Sequence, residues 1–114
     1  MPKHNQQLGQ HGEKLACTFL EQQQYQILER NFRTKFGEID IIAQKDCEII
    51  VVEVKTRLNK HFGVPSEIIN SPKLQRLEKC AWYYLRQTQQ EHVAWSIKVI
   101  EVFQGQCTLL EILL

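Results

Sequence analysis

The sequence lacks a long apolar run, a secretion signal and paired cysteines. Its aliphatic run at residues 49–52 stops at Glu53, far short of the ~20 residues that span a membrane. Residues 1–13 are polar, without the apolar segment of a signal peptide. The four cysteines are widely separated and form no Cys-x-x-Cys pair, which indicates free thiols in a reducing compartment. We therefore expect a cytoplasmic protein with no membrane contact.

An excess of either charge is also missing. The 14 lysines and arginines face 13 aspartates and glutamates, a formal net charge of +1. That balance argues against a uniformly basic nucleic-acid-binding protein and against an acidic tail. With 114 residues, 43% of them apolar, residues 1–114 are predicted to form a single domain around a hydrophobic core.

Hydrophobic spacing predicts the element order α-β-β-β-α-β-β. The predicted helices cover residues 8–23 and 72–87, and the predicted strands cover residues 25–33, 37–44, 48–55, 93–103 and 107–113. Ser71 and Pro72 are typical of a helix start, and residues 59–65 are predicted to form a polar loop. The order predicts an α/β fold, with one mixed sheet flanked by helices.

The second and third predicted strands carry acidic residues at facing positions. If residues 46–47 form a two-residue hairpin loop, counting outward places Asp40 opposite Glu53. Glu38 then faces Lys55. The opposite faces of the two strands are apolar, with Ile39, Ile41 and Ala43 on one strand and Ile50, Val52 and Val54 on the other.

Two facing carboxylates call for a positive partner, because directly opposed like charges destabilise a sheet. Mg²⁺ would suit them, since it binds one or two carboxylates and completes its shell with water and phosphate oxygens. Lys55, on the same face, could hold a nucleophilic water or stabilise negative charge on a phosphate. The alternative is a solvated sheet face on which Glu38 and Lys55 form an ordinary ion pair.

Three motifs carry a family resemblance. They are Gly9-x-x-Gly12-Glu13-x-x-Ala16, the stretch from Asn31-Phe32-Arg33 to Gly37-Glu38-Ile39-Asp40, and Val52-Glu53-Val54-Lys55-Thr56-Arg57. Phe62-Gly63-x-Pro65 and Lys73-x-x-Arg76-Leu77 fit the same pattern. Together they resemble the YraN-like family of uncharacterised bacterial proteins (uncharacterised protein family 0102). That family is similar to the PD-(D/E)xK nuclease superfamily, and nearest to archaeal Holliday junction resolvases.

The resemblance implies a restriction-endonuclease-like α-β-β-β-α-β core and a Mg²⁺-dependent endonuclease site, with Mn²⁺ as a substitute. Asp40 and Glu53 would be metal-binding acids, Lys55 the catalytic lysine and Glu13 a further metal ligand from the first helix. Glu38 would support Lys55 as a neighbour. A homodimer is a further expectation from the resolvase-like relatives. The chain departs from the family pattern at Ser96-Ile97-Lys98, where an Arg-aromatic-Asp step is common.

A basic segment follows the acidic hairpin. Residues 55–86 contain seven lysines and arginines but only two glutamates, whereas the rest of the chain is slightly acidic. Helical spacing puts Arg76, Lys79, Tyr83 and Arg86 in one stripe. With Arg57 and Lys73, these bases are candidate nucleic-acid contacts, because phosphate contacts dominate such binding. The alternative is an ordinary solvated helix face.

The sequence thus predicts a metal-dependent nuclease-like domain that hydrolyses DNA phosphodiester bonds, with branched or junction DNA as a candidate substrate. Two alternatives stay open: a catalytically silent nucleic-acid-binding module, and a structural or partner-binding protein of the same fold. Trp82 and Trp95 are interpreted as core or interface residues rather than base-stacking platforms.

Overall fold

The computed structural model describes residues 3–58 and 72–112, which form two helices and five strands. The elements are α1 (Lys3–Gln22), β1 (Gln26–Thr34), β2 (Gly37–Lys45), β3 (Glu48–Arg57), α2 (Pro72–Gln87), β4 (Ala94–Phe103) and β5 (Gln106–Glu111). The predicted element order is confirmed, although α1 begins earlier than predicted. The predicted loop at residues 59–65, its Phe62-Gly63-x-Pro65 motif and Ser71 lie outside the described residues.

One five-stranded mixed sheet organises the described residues, in the spatial order β1-β2-β3-β4-β5. Neighbouring strands are antiparallel except β3 and β4, which run parallel. Parallel neighbours cannot be joined by a tight turn, and here α2 lies in the connection between them. The predicted mixed sheet flanked by helices is therefore confirmed.

Each face of the sheet is covered by one helix, which explains the apolar residues on both faces of the central strands. On one face, Ala16, Cys17 and Leu20 of α1 pack with Ile41, Ala43, Ile50, Val52, Ile100 and Val102. On the other, Leu74, Leu77, Cys80, Ala81, Tyr84 and Leu85 of α2 pack with Ile39, Ile42, Ile49, Val51 and Ile97. The acidic stretch of the hairpin is thus flanked by buried apolar residues, as the sequence suggested.

Ile39 does not share a face with Ile41, contrary to the alternation expected from the sequence. It packs on the α2 side, whereas Ile41 packs on the α1 side. The side on which the isoleucines pack changes between the strand pairs Arg30–Ile41 and Phe32–Ile39. Asn31 lies between these pairs, and its φ of 51° is in the left-handed region. Asn is one of the few residue types that tolerate this conformation. A local irregularity of β1 and β2 therefore interrupts the simple alternation.

Close packing brings the middle of α1 against the end of β3. A Cβ atom at Gly12 would collide with the Thr56 hydroxyl oxygen, so only glycine permits this approach without displacement. Glu13, the next residue, is consequently held beside the ends of β2 and β3.

Neither described helix is long and apolar enough to cross a membrane. All four cysteines lie in the described residues and are unbridged, as expected.

Candidate metal centre and nucleic-acid interface

The candidate site lies where the β2–β3 hairpin opens. The recorded pairs run from Lys45–Glu48 to Ile41–Val52, which confirms the register counted from the hairpin loop. In the described strands this ladder ends one pair before Asp40 and Glu53, so the predicted direct cross-strand pair is not formed. Instead, the Val54 backbone N–H donates to Asp40 Oδ2 at 2.8 Å. Opposed carboxylates disfavour a direct pair, and the Asp40 side chain accepts the hydrogen bond of a backbone donor that the ladder leaves free.

A cleft of about 270 Å³ occupies this opening. The hairpin contributes Gly37, Glu38, Asp40 and Glu53 to its lining, and α2 contributes Lys73, Arg76 and Leu77. The structure thus brings together three predicted acids and two predicted basic residues. We call this the carboxylate cleft.

Asp40 has the most perturbed titration in the carboxylate cleft. Burial raises the pKa of Asp40 to about 7, and the neighbouring Glu53 carboxylate adds to that increase. Glu13 and Glu38 raise the same pKa further, while the hydrogen bond from Val54 lowers it. Burial likewise raises the pKa of Glu13, with Glu38 as the next contributor. Four carboxylates from α1, β2 and β3 therefore repel one another and would gain from a cation.

Glu53 is paired with a cation from α2. Lys73 Nζ lies 2.8 Å from Glu53 Oε1, and Glu53 is only 8% exposed. The sequence suggested Lys73 as a nucleic-acid contact, whereas the structure places it on a candidate metal ligand. A buried carboxylate needs such a partner, because an isolated charge is costly away from water.

Asn31 is a site residue that sequence reasoning missed. With its amide nitrogen oriented toward the carboxylates, it donates to Glu13 Oε1 and Glu38 Oε1, each at 3.0 Å. Glu38 also lies 3.6 Å from Arg33 Nε, its neighbour across β1 and β2. The available signal was an asparagine, which favours turns, in the middle of a predicted strand. Asn31 therefore links α1 to β2 beside the carboxylate cleft.

The donor set fits a hard divalent cation that keeps several waters. Among residues 3–58 and 72–112, no three His, Cys, Asp or Glu side chains converge into a ready metal-binding group. Asp40 and Glu53 would then supply two carboxylates, leaving positions for water and phosphate oxygens, the usual arrangement for Mg²⁺. The role of Glu13 as a third ligand stays a prediction. Lys55 is half-buried and follows Glu53 by two residues along β3, on the same face.

The predicted nucleic-acid contacts separate into two groups. Arg76, Lys79 and Arg86 are exposed along α2. Arg57 instead forms an ion pair with Glu101 of β4, with Arg57 Nε 3.0 Å from Glu101 Oε2 and its side chain only 16% exposed. The structure does not place Arg57 with the exposed bases of α2.

The departure at residues 96–98 lies in β4. Ile97 joins the core beneath α2. The neighbouring Lys98 is buried, and its Nζ donates to Glu111 Oε1 at 2.9 Å across the β4–β5 pair. This contact gives Lys98 a structural partner within the sheet.

The chain is an α/β domain whose element order, α-β-β-β-α-β-β, is consistent with a restriction-endonuclease-like core. A family model described as uncharacterised protein family UPF0102 matches residues 12–102, and the chain belongs to that family. The predicted membership of uncharacterised protein family 0102 is confirmed.

Curated relatives are similar in sequence to this chain over most of their lengths. A UPF0102 protein of Geobacter metallireducens is 43% identical over 112 residues, covering 97% of this chain and 92% of the relative. A second, from Syntrophomonas wolfei, is 42% identical over 86% of this chain and 85% of the relative. A third, from Thermodesulfovibrio yellowstonii, is 49% identical over 75% of this chain and 77% of the relative.

Proposed function

We propose that this domain is a metal-dependent nuclease that hydrolyses phosphodiester bonds of DNA at the carboxylate cleft. The observation that carries the proposal is the opening of the β2–β3 hairpin at Asp40 and Glu53. Neighbouring carboxylates repel one another, and here burial and the Glu53 carboxylate raise the pKa of Asp40 to about 7, although Lys73 pairs with Glu53. Such an arrangement is unfavourable in itself and is typical of a functional site.

Asp40 and Glu53 would hold the divalent cation. When bound, Mg²⁺ lowers the pKa of a coordinated water and offsets charge on the scissile phosphate. The hydrogen bond from Val54 fixes one oxygen of Asp40, which leaves the other carboxylate oxygen for ligand binding. Asn31 holds Glu13 and Glu38 beside Asp40 and Glu53, so that two further negative charges lie next to the proposed cation site.

The basic residues would act on the substrate phosphates. Lys55 lies two residues beyond Glu53 on the same face, where its ammonium would stabilise charge that develops at the scissile phosphate. Arg76 lines the same cleft from α2 and would orient a neighbouring phosphate. Lys73 pairs with Glu53. When a cation binds, Lys73 would have to share the Glu53 carboxylate with the cation or move away from it.

The direct test is metal binding followed by cleavage. Calorimetric titration of the purified chain with Mn²⁺ should give saturable binding that is lost in Asp40→Asn and in Glu53→Gln. With Mg²⁺ or Mn²⁺, labelled single strands, duplexes, flaps and four-way junctions are then incubated with each protein. We expect cleavage of at least one of these by the native chain and none by either variant. Lys55→Ala should lose about 10²–10³-fold in rate while still binding Mn²⁺.

Glu48→Gln is the matched control, because Glu48 is an exposed acid at the loop end of the same hairpin. It should bind Mn²⁺ and cleave like the native chain. Cleavage that survives both Asp40→Asn and Glu53→Gln would contradict the proposal, and so would Mn²⁺ binding that neither substitution weakens.

A nucleic-acid-binding module without catalysis is the second candidate. The observation that favours it is the 2.8 Å contact of Lys73 with Glu53, which already neutralises one of the two metal-binding acids. This candidate predicts salt-sensitive DNA binding that is weakened by Arg76→Ala, with no metal-dependent product from any of the four substrates.

A further inference from the structure

A second concave surface, which we call the aromatic groove, lies along the C-terminal half of α2. Its volume is about 620 Å³, and it is lined by Phe36, Lys79, Trp82, Tyr83, Arg86 and Gln87. Phe36 belongs to the turn between β1 and β2, where its backbone N–H donates to Thr34 Oγ1 at 3.0 Å. The groove is within the size range of ligand sites, about 300–1,000 Å³.

Two aromatic side chains of the groove are exposed yet held in place by rings beneath them. Trp82 is 41% exposed and Tyr83 is 42% exposed. The Tyr83 ring centroid lies 6.2 Å from that of Phe32, and the Trp82 ring meets Trp95 edge to face at 5.6 Å. Fixed aromatic surfaces bind planar partners with little loss of side-chain entropy. Its exposure excludes Trp82 from the core, whereas its interpretation as an interface residue stays a prediction.

The charge of the groove is positive. Lys79 Nζ lies 5.7 Å from the centre of the Phe36 ring, and Lys35 Nζ lies 5.3 Å from it. Arg86 Nε is 3.9 Å from Glu91 Oε2, but both side chains are largely exposed, so water screens this pair. The lining itself contains two bases and no acid. Its occupant should therefore combine planar rings with negative charge.

The aromatic groove and the carboxylate cleft are separate concavities that both contain residues of α2. Arg76 lines the cleft, and Lys79, Tyr83 and Arg86 follow it at helical spacing into the groove. At 1.5 Å per residue, the stripe from Arg76 to Arg86 spans about 15 Å. A strand lying on it would extend from the carboxylates to the aromatic rings.

We propose that the aromatic groove binds unpaired bases of a single-stranded nucleic-acid segment, with the strand's phosphates following Arg76, Lys79 and Arg86. Stacking on aromatic rings requires bases released from a duplex, and cations beside the rings complement the phosphates. Together with the proposed nuclease function, on which this part rests, the groove selects substrates with an unpaired segment next to the scissile bond.

Binding can be tested apart from cleavage, in EDTA, by fluorescence anisotropy with a labelled 15-nucleotide thymidine strand and a blunt duplex of equal length. The single strand should bind more tightly than the duplex. Tyr83→Ala should weaken single-strand binding about tenfold, which corresponds to about 1.4 kcal/mol, and Tyr83→Phe should restore it because its ring can still stack on a base. Titration with the strand should quench tryptophan fluorescence, and Trp82→Phe should remove that quenching while largely preserving the affinity.

Lys79→Ala and Lys45→Ala form a matched pair. Each lysine lies over an aromatic ring, Lys79 over Phe36 and Lys45 over Tyr25 at 5.3 Å, but only Lys79 lines the groove. Lys79→Ala should weaken single-strand binding several-fold, and Lys45→Ala should not. Circular dichroism and thermal unfolding of each variant establish that the fold is retained.

Equal binding of single strand and duplex, or an equal effect of Lys45→Ala and Lys79→Ala, would overturn the groove proposal. A concentration-dependent dimer abolished by Tyr83→Ala, with oligonucleotide binding unchanged, would assign the groove to a second copy of the chain and overturn it too. The nuclease proposal fails separately. A chain that binds single strands but cleaves none of the substrates with Mg²⁺ or Mn²⁺ would support the groove proposal and contradict the nuclease proposal.

Discussion

The two ends of the β2–β3 hairpin differ in what holds them. At the loop end, Lys45 pairs with Glu48 and the ladder continues without interruption to Ile41 and Val52. At the open end the ladder stops, and carboxylates from three elements are contacted by Val54, Asn31, Arg33 and Lys73. The loop end is stabilised by backbone pairing and apolar burial. The open end carries unfavourable charge, so substitutions there should change stability and ligand binding in ways that loop-end substitutions do not.

The largest effect on stability is expected from Gly12→Val, which targets the approach of α1 to the open end. Its Cβ would collide with the Thr56 hydroxyl, and overpacking of this kind costs about 2–3 kcal/mol. Chemical denaturation should report that loss, and Thr56→Ala in the same chain should recover most of it. Gly9→Val is the control, since a Cβ at Gly9 meets nothing within 4 Å. Equal losses for the two glycines would contradict the close approach.

Asp40→Asn should stabilise the metal-free chain at alkaline pH. The folded-state pKa of Asp40 is raised to about 7 from an ordinary value of 3.8, because burial and Glu53, Glu13 and Glu38 disfavour the charged form. A raised carboxyl pKa makes the folded state less stable above pH 7, and this destabilisation fades as the pH falls toward 4. At pH 8 we expect a gain of about 2 kcal/mol in unfolding free energy.

At pH 5 that gain should be much smaller, since native Asp40 is then already protonated. Lys73 and the Val54 N–H favour charged carboxylates in the same cleft. They therefore make the gain in unfolding free energy smaller than the full pKa shift of Asp40 would give. Asp46→Asn is the control at the loop end, where Asp46 is exposed. Thermal unfolding in EDTA at both pH values provides the measurement. A gain that does not depend on pH would exclude Asp40 ionisation as its cause.

Asn31→Gly should have an intermediate effect. Glycine tolerates the φ of 51° but removes both donated hydrogen bonds, for a loss of about 1 kcal/mol. Mn²⁺ affinity measured by calorimetry should fall about tenfold, because Glu13 and Glu38 lose their common donor. Gln104→Gly replaces another left-handed residue, φ 50°, in the exposed turn between β4 and β5 and should change neither quantity appreciably. Unchanged Mn²⁺ binding in Asn31→Gly would remove Asn31 from the site.

The smallest effect is expected from Lys45→Ala at the loop end. Its ammonium lies over the Tyr25 ring at 5.3 Å, and because both residues are only half-buried this contact contributes about 0.5 kcal/mol. Denaturation should show that loss, and Mn²⁺ binding should remain native. A marked change in metal affinity would mean that the two ends of the hairpin are coupled.

Local patterns were sufficient to predict most of the fold and part of the site. The register of β2 and β3 follows from a two-residue loop, because every cross-strand pair can be counted outward from that loop. This counting predicted that Asp40 and Glu53 lie together at the open end of the hairpin. The parallel register of β3 and β4 has no such reference, because α2 lies between them. The Arg57–Glu101 ion pair, a consequence of that register, was therefore not foreseen.

Two other contacts depend on tertiary structure and leave little trace in local patterns. Asn31 adopts a left-handed φ of 51° and donates its amide to Glu13 of α1 and Glu38 of β2. Lys73 belongs to a basic segment whose spacing suggested phosphate binding, yet its nearest acid is Glu53, from the preceding strand. The sequence shows which residues are cationic. Their ion-pair partners depend on which helices and strands pack together in the fold.

The order of the strands also has a consequence for folding kinetics. β1, β2 and β3 are neighbours in sequence and in space, so this meander closes through short loops, whereas β3 and β4 meet only after the connection containing α2 is brought across. Contacts of large sequence separation form slowly, and we expect the β3–β4 pairing to limit the refolding rate. Asp40 and Glu53 would thus approach one another before Lys73 arrives, and the late arrival of α2 would both close the core and neutralise the acids.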